Sequence, residues 1–434
     1  AEFQIGAVDI SLLDKIYVKN VSVKDRENGQ LLFIDELEIE LAQNALFQEE
    51  IILRKVLLIG GSLNINRDAQ NGIHNFQFLI DYFGSDEAKT NNKRVFKIEQ
   101  IQLADLSFGY QNRGAKNKEY GVDFNHLNLN GFGVMLKDFV LDSSGICANM
   151  EALRFSEKSG FVLSEMNGAL CLSDQKIKLS RLKLTTELSE IDIPLFELNY
   201  KHWSDFHSFK DSVIFNSILN DSRVALNELS YFVPSMEGMS DVVRLKGEVS
   251  NSVNNLEVHD FELFLGASYL KGDFQLPDFS SDANAIVKQY IRTAYLDFQE
   301  LNNFVLPAGI EPFEFTSLME HKFVSFADCN LKGNLNEISI DASSIESNYG
   351  RLRLPEKMVL KKDKNGWSML PTKEFVSPLI LDDFNLGAFL KREELGILSG
   401  AFRPSFRWNN SGDIEIMLPK GCLLYTSPSP RDET

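Results

Sequence analysis

The chain has 434 residues, of which 44 are Lys or Arg and 62 are Asp or Glu, so its formal net charge at pH 7 is −18. This acidity disfavours binding to nucleic acid, whose phosphates require positive charge. Apolar residues make up 44% of the chain, enough for a core, and 27 Gly and 12 Pro are too few for collagen or for general disorder. The aromatic residues are mostly Phe, with 33 against 11 Tyr and 3 Trp.

Taken in chain order, the sequence alternates apolar and polar residues through most of its length. A period of two is typical of strands with one apolar and one polar face. Alternation on one face favours antiparallel pairing over a doubly wound parallel sheet. The apolar positions of the clearest runs are Ile16 and Val18; Leu37, Ile39 and Leu41; Leu63 and Ile65; Val122 and Phe124; Ile177, Leu179, Leu182 and Leu184; Ile414 and Ile416.

Turn-forming pairs that contain Gly or Asn lie between these runs, since both residues accept the backbone conformations of tight turns. Helical spacing is sparse: residues 75–83 predict a two-turn helix, and residues 285–304 predict a strand followed by a short helix at 298–304. We expect turns at residues 27–29, 60–61, 71–72, 365–366 and 411–412.

A weak internal repeat favours a stacked arrangement of strands. Gly168, Gly247, Gly333 and Gly400 each open an alternating stretch, and repeats of one unit are typical of elongated arrays. The predicted fold class is therefore all-β: an elongated, curled, solenoid-like antiparallel sheet that forms a groove, with a few short helices. Alternation alone leaves open a β-sandwich or a closed barrel whose interior is filled by side chains.

The chain is divided into a first β segment, residues 1–84, and a repeating β-groove segment, residues 85–421, continuous with the first. Residues 422–434 resemble the translation of a sequencing-library adapter and are excluded from the fold prediction. The chain is thus expected to be a fragment cut at both ends. It contains no apolar run of about 18 residues, so no spanning helix is predicted within it.

The three cysteines outside this tail, Cys147, Cys171 and Cys329, form no CxxC pair and no even set. Neither a zinc site nor a disulfide framework is expected from this spacing. We predict that each is a small buried apolar residue.

Motifs for catalysis or for cofactor binding are weak. His202, Asp205 and His207 do not have the spacing of a helical ligand pair and are interpreted as a polar loop. Gly131 and Gly133 lack the third glycine of a dinucleotide-binding loop, and GxSxG, HExxH and P-loop motifs are absent. Most carboxylates alternate with apolar residues, as solvated strand faces do. The sequence predicts no metal, no cofactor and no catalytic residue.

Several segments, in this order, resemble TamB-type proteins of the AsmA-like superfamily. The resemblance extends over roughly residues 2–421, and the segments are motifs of packing rather than of chemistry. They are residues 5–13, 16–25, 29–37, 59–67, 72–79, 229–234, 276–278 and 296–307.

The resemblance implies a periplasmic β structure, tethered to the inner membrane by one helix that would precede Ala1. Family members have long curled sheets with an apolar groove and are linked to phospholipid transfer towards the outer membrane. TamB proteins are also tied to outer-membrane protein assembly through a TamA/BamA-type barrel, which would be contacted by a C-terminal part missing here. The partners that the resemblance implies are phospholipid acyl chains, the inner membrane and, through that C-terminal part, the barrel.

A curled sheet with one apolar face can shield an acyl chain from water, because alternating strands place their apolar side chains on one side. Each CH₂ kept from water contributes about 0.8 kcal/mol, so a chain of roughly sixteen carbons would cost about 13 kcal/mol to expose. The predicted groove residues are Ile16, Val18, Leu37, Ile39, Leu41, Leu63, Ile65, Phe124, Leu182, Leu184, Phe261 and Leu263.

The alternative function is a β-solenoid polysaccharide-active enzyme or adhesin. A cluster of carboxylates in a solvent cleft would favour this alternative, because glycoside hydrolysis commonly uses two carboxyl groups. A continuous apolar trough would instead favour the lipid-conducting protein.

Overall fold

The computed structural model describes the chain with gaps and divides it into two compact units, Ala1–Ser240 and Asp241–Thr434. The boundary predicted after residue 84 lies within the first unit. The predicted turns at 365 and 411–412 and the tail 422–434 lie outside the described residues. These are 2–11, 15–42, 51–83, 96–142, 144–277, 286–305, 323–334, 336–355, 357–363, 366–369, 379–390, 392–402, 405–409 and 414–417.

The first unit consists mainly of long strands. Its short helices are α1 (Gln77–Phe83), α2 (Phe209–Ser212) and α3 (Leu226–Leu229), with 3-10 turns at Trp203–Ser208 and Pro234–Met236. The strands are β1 (Glu2–Ser11), β2 (Lys15–Lys24), β3 (Gln30–Leu41), β4 (Ile51–Arg67), β5 (Phe96–Asn112), β6 (His126–Asp142), β7 (Gly145–Glu157), β8 (Val162–Leu172), β9 (Lys176–Thr186), β10 (Glu190–Asn199) and β11 (Ile214–Ala225).

The second unit also consists mainly of strands, with a few short helices. Its helices are α4 (Phe298–Asn303) and α5 (Leu386–Leu390), with a 3-10 turn at Glu393–Leu395. The strands are β12 (Val242–Asn251), β13 (Asn255–Leu265), β14 (Ser268–Pro277), β15 (Val287–Asp297), β16 (Phe323–Gly333), β17 (Glu337–Ser347), β18 (Gly350–Arg353), β19 (Met358–Asp363), β20 (Gly366–Met369), β21 (Leu379–Asn385), β22 (Ile397–Phe402), β23 (Ser405–Asn409) and β24 (Ile414–Met417).

The predicted all-β class with a few short helices is confirmed. In the first unit each strand from β1 to β11 pairs with the next along the chain, and no pairing joins β1 to β11 among the described residues. The sheet is therefore open rather than a closed barrel. One expectation is wrong in detail: β4 and β5 pair in parallel. Two parallel strands require a crossover between them, and α1 lies in the connection between β4 and β5.

In the second unit, β12 to β17 form an antiparallel series. The far side of β17 is shared between two partners, because β18 pairs with its last residues and β19 with its first. One branch continues through β21 and β22, and the other through β20, β23 and β24.

A line of unusual backbone conformations, here called the crease, crosses β2 to β5. Asn20, Gly60 and Asp105 have positive φ angles of 56°, 63° and 54° and lie in one row with Asp35. Such a residue disturbs the regular alternation of side chains, as a β-bulge does. The predicted turn at residues 60–61 is therefore wrong: both glycines lie inside β4, where the crease requires positive φ.

Three of the repeated glycines mark similar irregularities in other strands. The ladder register shifts next to Gly168 in β8 and Gly247 in β12, and it shifts between Leu381 and Phe384 beside Gly400 in β22. Gly247 and Gly400 also have φ angles of 155° and 156°. The weak sequence repeat thus marks bends within strands.

Both helix predictions are confirmed, by α1 and by α4 after β15. Two of the short helices, α3 and α4, cap neighbouring hairpin turns. The Glu228 carboxylate on α3 accepts hydrogen bonds from Leu188 N–H (3.1 Å) and from the Thr186 hydroxyl (2.6 Å) at the β9–β10 turn. Glu300 on α4 accepts from the N–H groups of Ala267 and Ser268 at the β13–β14 turn. One arrangement, a hairpin followed by a strand and a capping helix, therefore occurs in both units.

The cysteine prediction is wrong for two of the three residues. Cys147 on β7 and Cys171 on β8 are exposed, lie directly opposite each other and form a disulfide. The two cysteines are far apart in the sequence, but the register of the β7–β8 hairpin places them opposite each other. The prediction is confirmed for Cys329, which is a buried free thiol.

Candidate functional site

The apolar positions of the first unit form rows that run across the sheet from strand to strand. In one row, Val18 lies opposite Leu37, Leu37 opposite Leu58, and Leu58 beside Leu103. Facing side chains of neighbouring strands are close enough to pack. The complete rows are Val8–Val18–Leu37–Leu58–Leu103–Val134, Ile10–Ile16–Ile39–Val56–Ile101–Leu136 and Phe3–Val23–Leu32–Leu63–Phe108–Leu129.

The crease keeps these rows on one side of the sheet, which we call the apolar face. In β2 the apolar positions are Ile16 and Val18 before Asn20, and Val21 and Val23 after it, so the alternation changes phase at the crease. Side chains from both sides of the crease line a single cavity of about 410 Å³. Its apolar lining includes Leu58 and Leu103 from one side and Leu32, Leu63, Leu106, Phe108, Leu129 and Phe132 from the other.

Most of the predicted groove residues lie on this face. Leu182 belongs to a buried cluster with Val134 and Met150, and Leu103, Leu136 and Met166 pack against the same cluster. Leu184 lies opposite Met166. The predicted residues that the sheet brings together are Ile16, Val18, Leu37, Ile39, Leu41, Leu63, Ile65, Leu182 and Leu184.

The central side chains of the face are only half-buried. Leu37, Leu58 and Leu103 have neighbouring strands on both sides, yet each keeps part of its surface exposed. A packed second layer would bury such residues almost completely. At the edge of the described sheet, β1 exposes Phe3, Ile5, Val8 and Ile10 by 56% to 64%. The face is therefore open along these strands.

The opposite face of the same strands is charged. Lys19 pairs with Glu36 at 2.9 Å, and Glu38 lies within 3.7 Å of Lys15 and 3.9 Å of Lys55. The Lys19–Glu36 pair is exposed and adds little stability, but these charged side chains make this side polar. The sheet is thus amphipathic, with its apolar side half-exposed.

Two predicted groove residues, Phe261 and Leu263, lie in the second unit. Leu263 faces Leu245 on one side and Leu270 on the other, and the Phe261 ring packs at 5.2 Å from that of Phe274. A buried cluster of this unit contains Ile291, Ala294, Cys329, Ala342, Leu354 and Leu379. This unit therefore has an apolar side of its own.

Phe124 does not belong to the apolar face, so its inclusion was wrong. The segment that contains Val122 and Phe124 is a turn rather than a strand, because the Asp123 carboxylate accepts a hydrogen bond from Asn125 N–H at 3.0 Å. Phe124 is 63% exposed, and its ring lies 6.5 Å from that of Phe232.

A separate polar cavity of about 520 Å³ lies near α1 and contains several carboxylates. Each carboxylate has a structural partner: Glu27 pairs with Arg113, Asp81 with Arg26, and Asp25 accepts from Gly29 N–H. Hydrogen bonds from the Asn71 and Gln70 N–H groups lower the pKa of Asp68, whereas a general acid requires a raised pKa. The carboxylates of this cavity therefore stabilise the surrounding turns, and their environment differs from that of the acid and base of a glycosidase.

His202 and Asp205 belong to a loop that is richer in aromatic contacts than the sequence analysis recognised. The Asp205 carboxylate accepts hydrogen bonds from the N–H groups of Lys201 (2.8 Å) and His202 (3.1 Å). These bonds lower the pKa of Asp205. The aromatic spacing at Trp203, Phe206 and Phe209 was the signal that could have been used.

Neither the scan against protein-family models nor the search of curated proteins found a match to this chain. In the described part of the chain, no helix has both the length and the apolar character needed to cross a bilayer.

Proposed function

We propose that this chain is a non-enzymatic protein of the bacterial envelope, whose apolar face holds phospholipid acyl chains during their transfer between the inner and outer membranes. The observation that carries the proposal is the set of apolar rows from β1 to β6, whose central leucines are half-buried and which continue to Leu182 on β9. The resemblance to TamB-type proteins of the AsmA-like superfamily supports the same function.

The energetic reason is the cost of exposing an acyl chain to water. At about 0.8 kcal/mol for each CH₂, a lipid chain leaves a bilayer readily only if another apolar surface accepts it. Leu, Ile, Val and Phe side chains offer such a surface, and none of them has a polar group that would need a hydrogen bond. The headgroup would remain at an open, wet edge. No nucleotide is required along the face itself.

A periplasmic location is part of the proposal. Disulfides persist in oxidising compartments such as the periplasm and are rare in the cytosol, so the exposed Cys147–Cys171 bond supports this location. Attachment to the inner membrane through a helix that precedes Ala1 rests on the resemblance. Fractionation of cells that express the chain with its natural upstream sequence tests both statements, and recovery from the cytosol would contradict them.

Outer-membrane protein assembly is a second proposed role, and β1 is the feature that favours it. Among the described residues β1 pairs with β2 alone, so its other edge has backbone groups that can accept an added strand. Val8→Pro should weaken such pairing, because proline lacks a backbone N–H and disrupts a strand. Loss of binding to an unfolded barrel protein, with lipid binding unchanged, would separate this role from lipid transfer.

The lipid proposal is tested first by mass spectrometry of lipid that co-purifies with the chain. Phospholipid should be present in the purified protein and should decrease when Ile39 or Ile65 is replaced by Glu. Circular dichroism should show that these variants keep their strand content. An equal amount of lipid in the Ile39→Glu, Ile65→Glu and unchanged proteins would contradict binding on this face.

A further inference from the structure

The segment between β10 and β11, residues 200–213, carries a continuous chain of aromatic rings. Trp203–Ser208 forms a 3-10 turn and Phe209–Ser212 forms α2. We call this segment the aromatic loop. Its ring centroids are separated by 5.1 Å for Tyr200–Trp203, 4.9 Å for Tyr200–Phe206, 5.5 Å for Trp203–Phe206 and 6.0 Å for Phe206–Phe209.

The aromatic chain continues onto the sheet of the first unit. Phe209 packs against Phe215 on β11 at 5.4 Å, and Phe215 packs against Phe196 on β10 at 6.1 Å. Phe196 lies opposite Leu179, which packs against the buried cluster of the apolar face. An uninterrupted apolar path therefore joins Trp203 to that face.

The outer end of the path has the chemistry of a membrane interface. Trp203 is 51% exposed, and Lys201, His202 and Lys210 are exposed beside it. The Asp205 carboxylate turns back into the loop, where it accepts the N–H groups of Lys201 and His202. Trp favours the headgroup level of bilayers because it is apolar with one polar group, and lysines attract lipid phosphate.

The loop also differs from the rest of the chain in charge. A chain with a net charge of −18 is repelled by anionic bilayers over most of its surface. Within the loop, Lys201 and Lys210 balance Asp205 and Asp211, so the loop has no excess of negative charge, and its lysines are exposed near Trp203. Lipid phosphates can pair with the lysines while the apolar part of the bilayer contacts the Trp203 ring. An acidic protein surface could pair with the lysines but would offer the indole ring no apolar contact.

We propose that the aromatic loop docks on a phospholipid membrane, with Trp203 at the headgroup level, and that acyl chains enter the apolar face along Phe206, Phe209 and Phe215. This inference rests on the proposed function and adds the place where lipid enters. The occupant is a bilayer surface, recognised through its phosphate groups and acyl chains.

The first test uses the full chain with Trp367→Phe and Trp408→Phe, which leaves Trp203 as the sole tryptophan. Vesicles of phosphatidylethanolamine and phosphatidylglycerol should shift its emission to shorter wavelength, and lipids with brominated acyl chains should quench it. Unchanged emission and no quenching would overturn the inference, as would binding of the loop to a protein partner without any binding to vesicles.

A matched pair of variants locates the contact. Trp203→Glu should weaken vesicle partition by roughly tenfold to a hundredfold, the range expected when one buried aromatic side chain is lost. Phe232→Glu changes a residue of similar exposure, 41%, beyond the opposite end of β11 and should leave partition unchanged. Equal weakening by both variants, or none by Trp203→Glu, would overturn the assignment to this loop.

A final arm separates this inference from the proposed function. Phospholipid supplied from detergent should load equally onto the Trp203→Glu and unchanged proteins, whereas loading from vesicles should decrease only in the variant. Equal loading from vesicles would overturn the aromatic loop as the point of lipid uptake. If neither protein takes lipid from detergent, the proposed function fails, although vesicle docking by the loop would still be measured independently.

Discussion

Gly60 lies directly opposite Asp35 in the β3–β4 ladder, with no space between them for another carbon atom. A Cβ on Gly60 would overlap the Asp35 carboxylate, and the φ angle of Gly60 is +63°. Because the alternation of apolar side chains changes phase at this positive φ, Leu58 and Leu63 lie on the same face. The crease is therefore a requirement of the apolar face and not a defect in the strand.

Replacement of Gly60 by Ala should destabilise the protein by about 1–3 kcal/mol, since a side chain at positive φ is strained and this one also overlaps its neighbour. Urea unfolding measures the change in free energy of unfolding. Gly133→Ala is the control, because its added Cβ would lie 3.4 Å or more from any neighbour, at ordinary contact distance. Similar losses in both variants would contradict the role of the crease.

Glu228→Ala should destabilise the β9–β10 hairpin by about 1–3 kcal/mol, because Leu188 N–H and the Thr186 and Ser189 hydroxyls lose a charged acceptor. Hydrogen exchange of amides in β9 and β10 should accelerate more than exchange in β2 and β3. Glu187→Ala alters an exposed carboxylate of the same turn and should have little effect. Uniform acceleration in all four strands would contradict a local cap.

The disulfide should be detectable by peptide mapping without reduction, as one cross-linked product that contains Cys147 and Cys171. Cys147→Ser with Cys171→Ser should lower the free energy of unfolding by up to about 3 kcal/mol, because the bond closes a loop of 24 residues. Unlinked peptides from protein made in an oxidising compartment would contradict the pairing and weaken the argument for the periplasm.

Because of the hydrogen bonds that Asp123 accepts, we expect the protein to become less stable at acidic pH. Burial would raise the pKa of this carboxylate, but hydrogen bonds from Lys118 N–H, the His126 ring and Asn125 N–H together lower it to about 2. A carboxylate whose pKa is lower in the folded than in the unfolded state stabilises the fold at pH values above its unfolded pKa. This stabilisation is lost as the pH falls through its folded pKa. The contribution, on the order of 2 kcal/mol, should therefore disappear between about pH 4 and pH 2.

Asp123→Asn isolates this contribution. The difference in free energy of unfolding between the variant and the unchanged protein should be constant near neutral pH and should shrink as pH falls below about 4. A difference that does not depend on pH would mean that Asn125 and Lys118 are held by the shape of the turn alone.

The sequence predicted much of the strand pattern because a half-exposed sheet leaves a period of two in its residues. It could not predict where the phase of that pattern changes, because a glycine such as Gly60 is equally typical of a turn between strands. Alternation at Val122 and Phe124 was misleading for the opposite reason: Asp123 holds a turn by bonding to its own neighbours. Local spacing does not distinguish these cases, whereas pairing between strands does.

The disulfide could have been predicted from hairpin register. Cys147 and Cys171 lie at equal distances on either side of the turn at Ser159, so antiparallel pairing alone places them opposite each other. The parallel pairing of β4 and β5 could not have been predicted in this way, because no hairpin turn fixes the register of two parallel strands. The aromatic loop was not predicted because the contacts of Phe209 with Phe215 and of Phe215 with Phe196 depend on the pairing of β10 and β11.

Adjacent leucines on β4 provide the most direct test of lipid binding on the apolar face. Leu58 lies opposite Leu37 on that face, whereas Leu57 lies opposite Glu38, and both are half-buried. A photo-crosslinking amino acid at Leu58 should capture phospholipid in cells, and the same group at Leu57 should capture little or none. Equal capture at both positions, or none at Leu58 in a folded protein, would contradict the account.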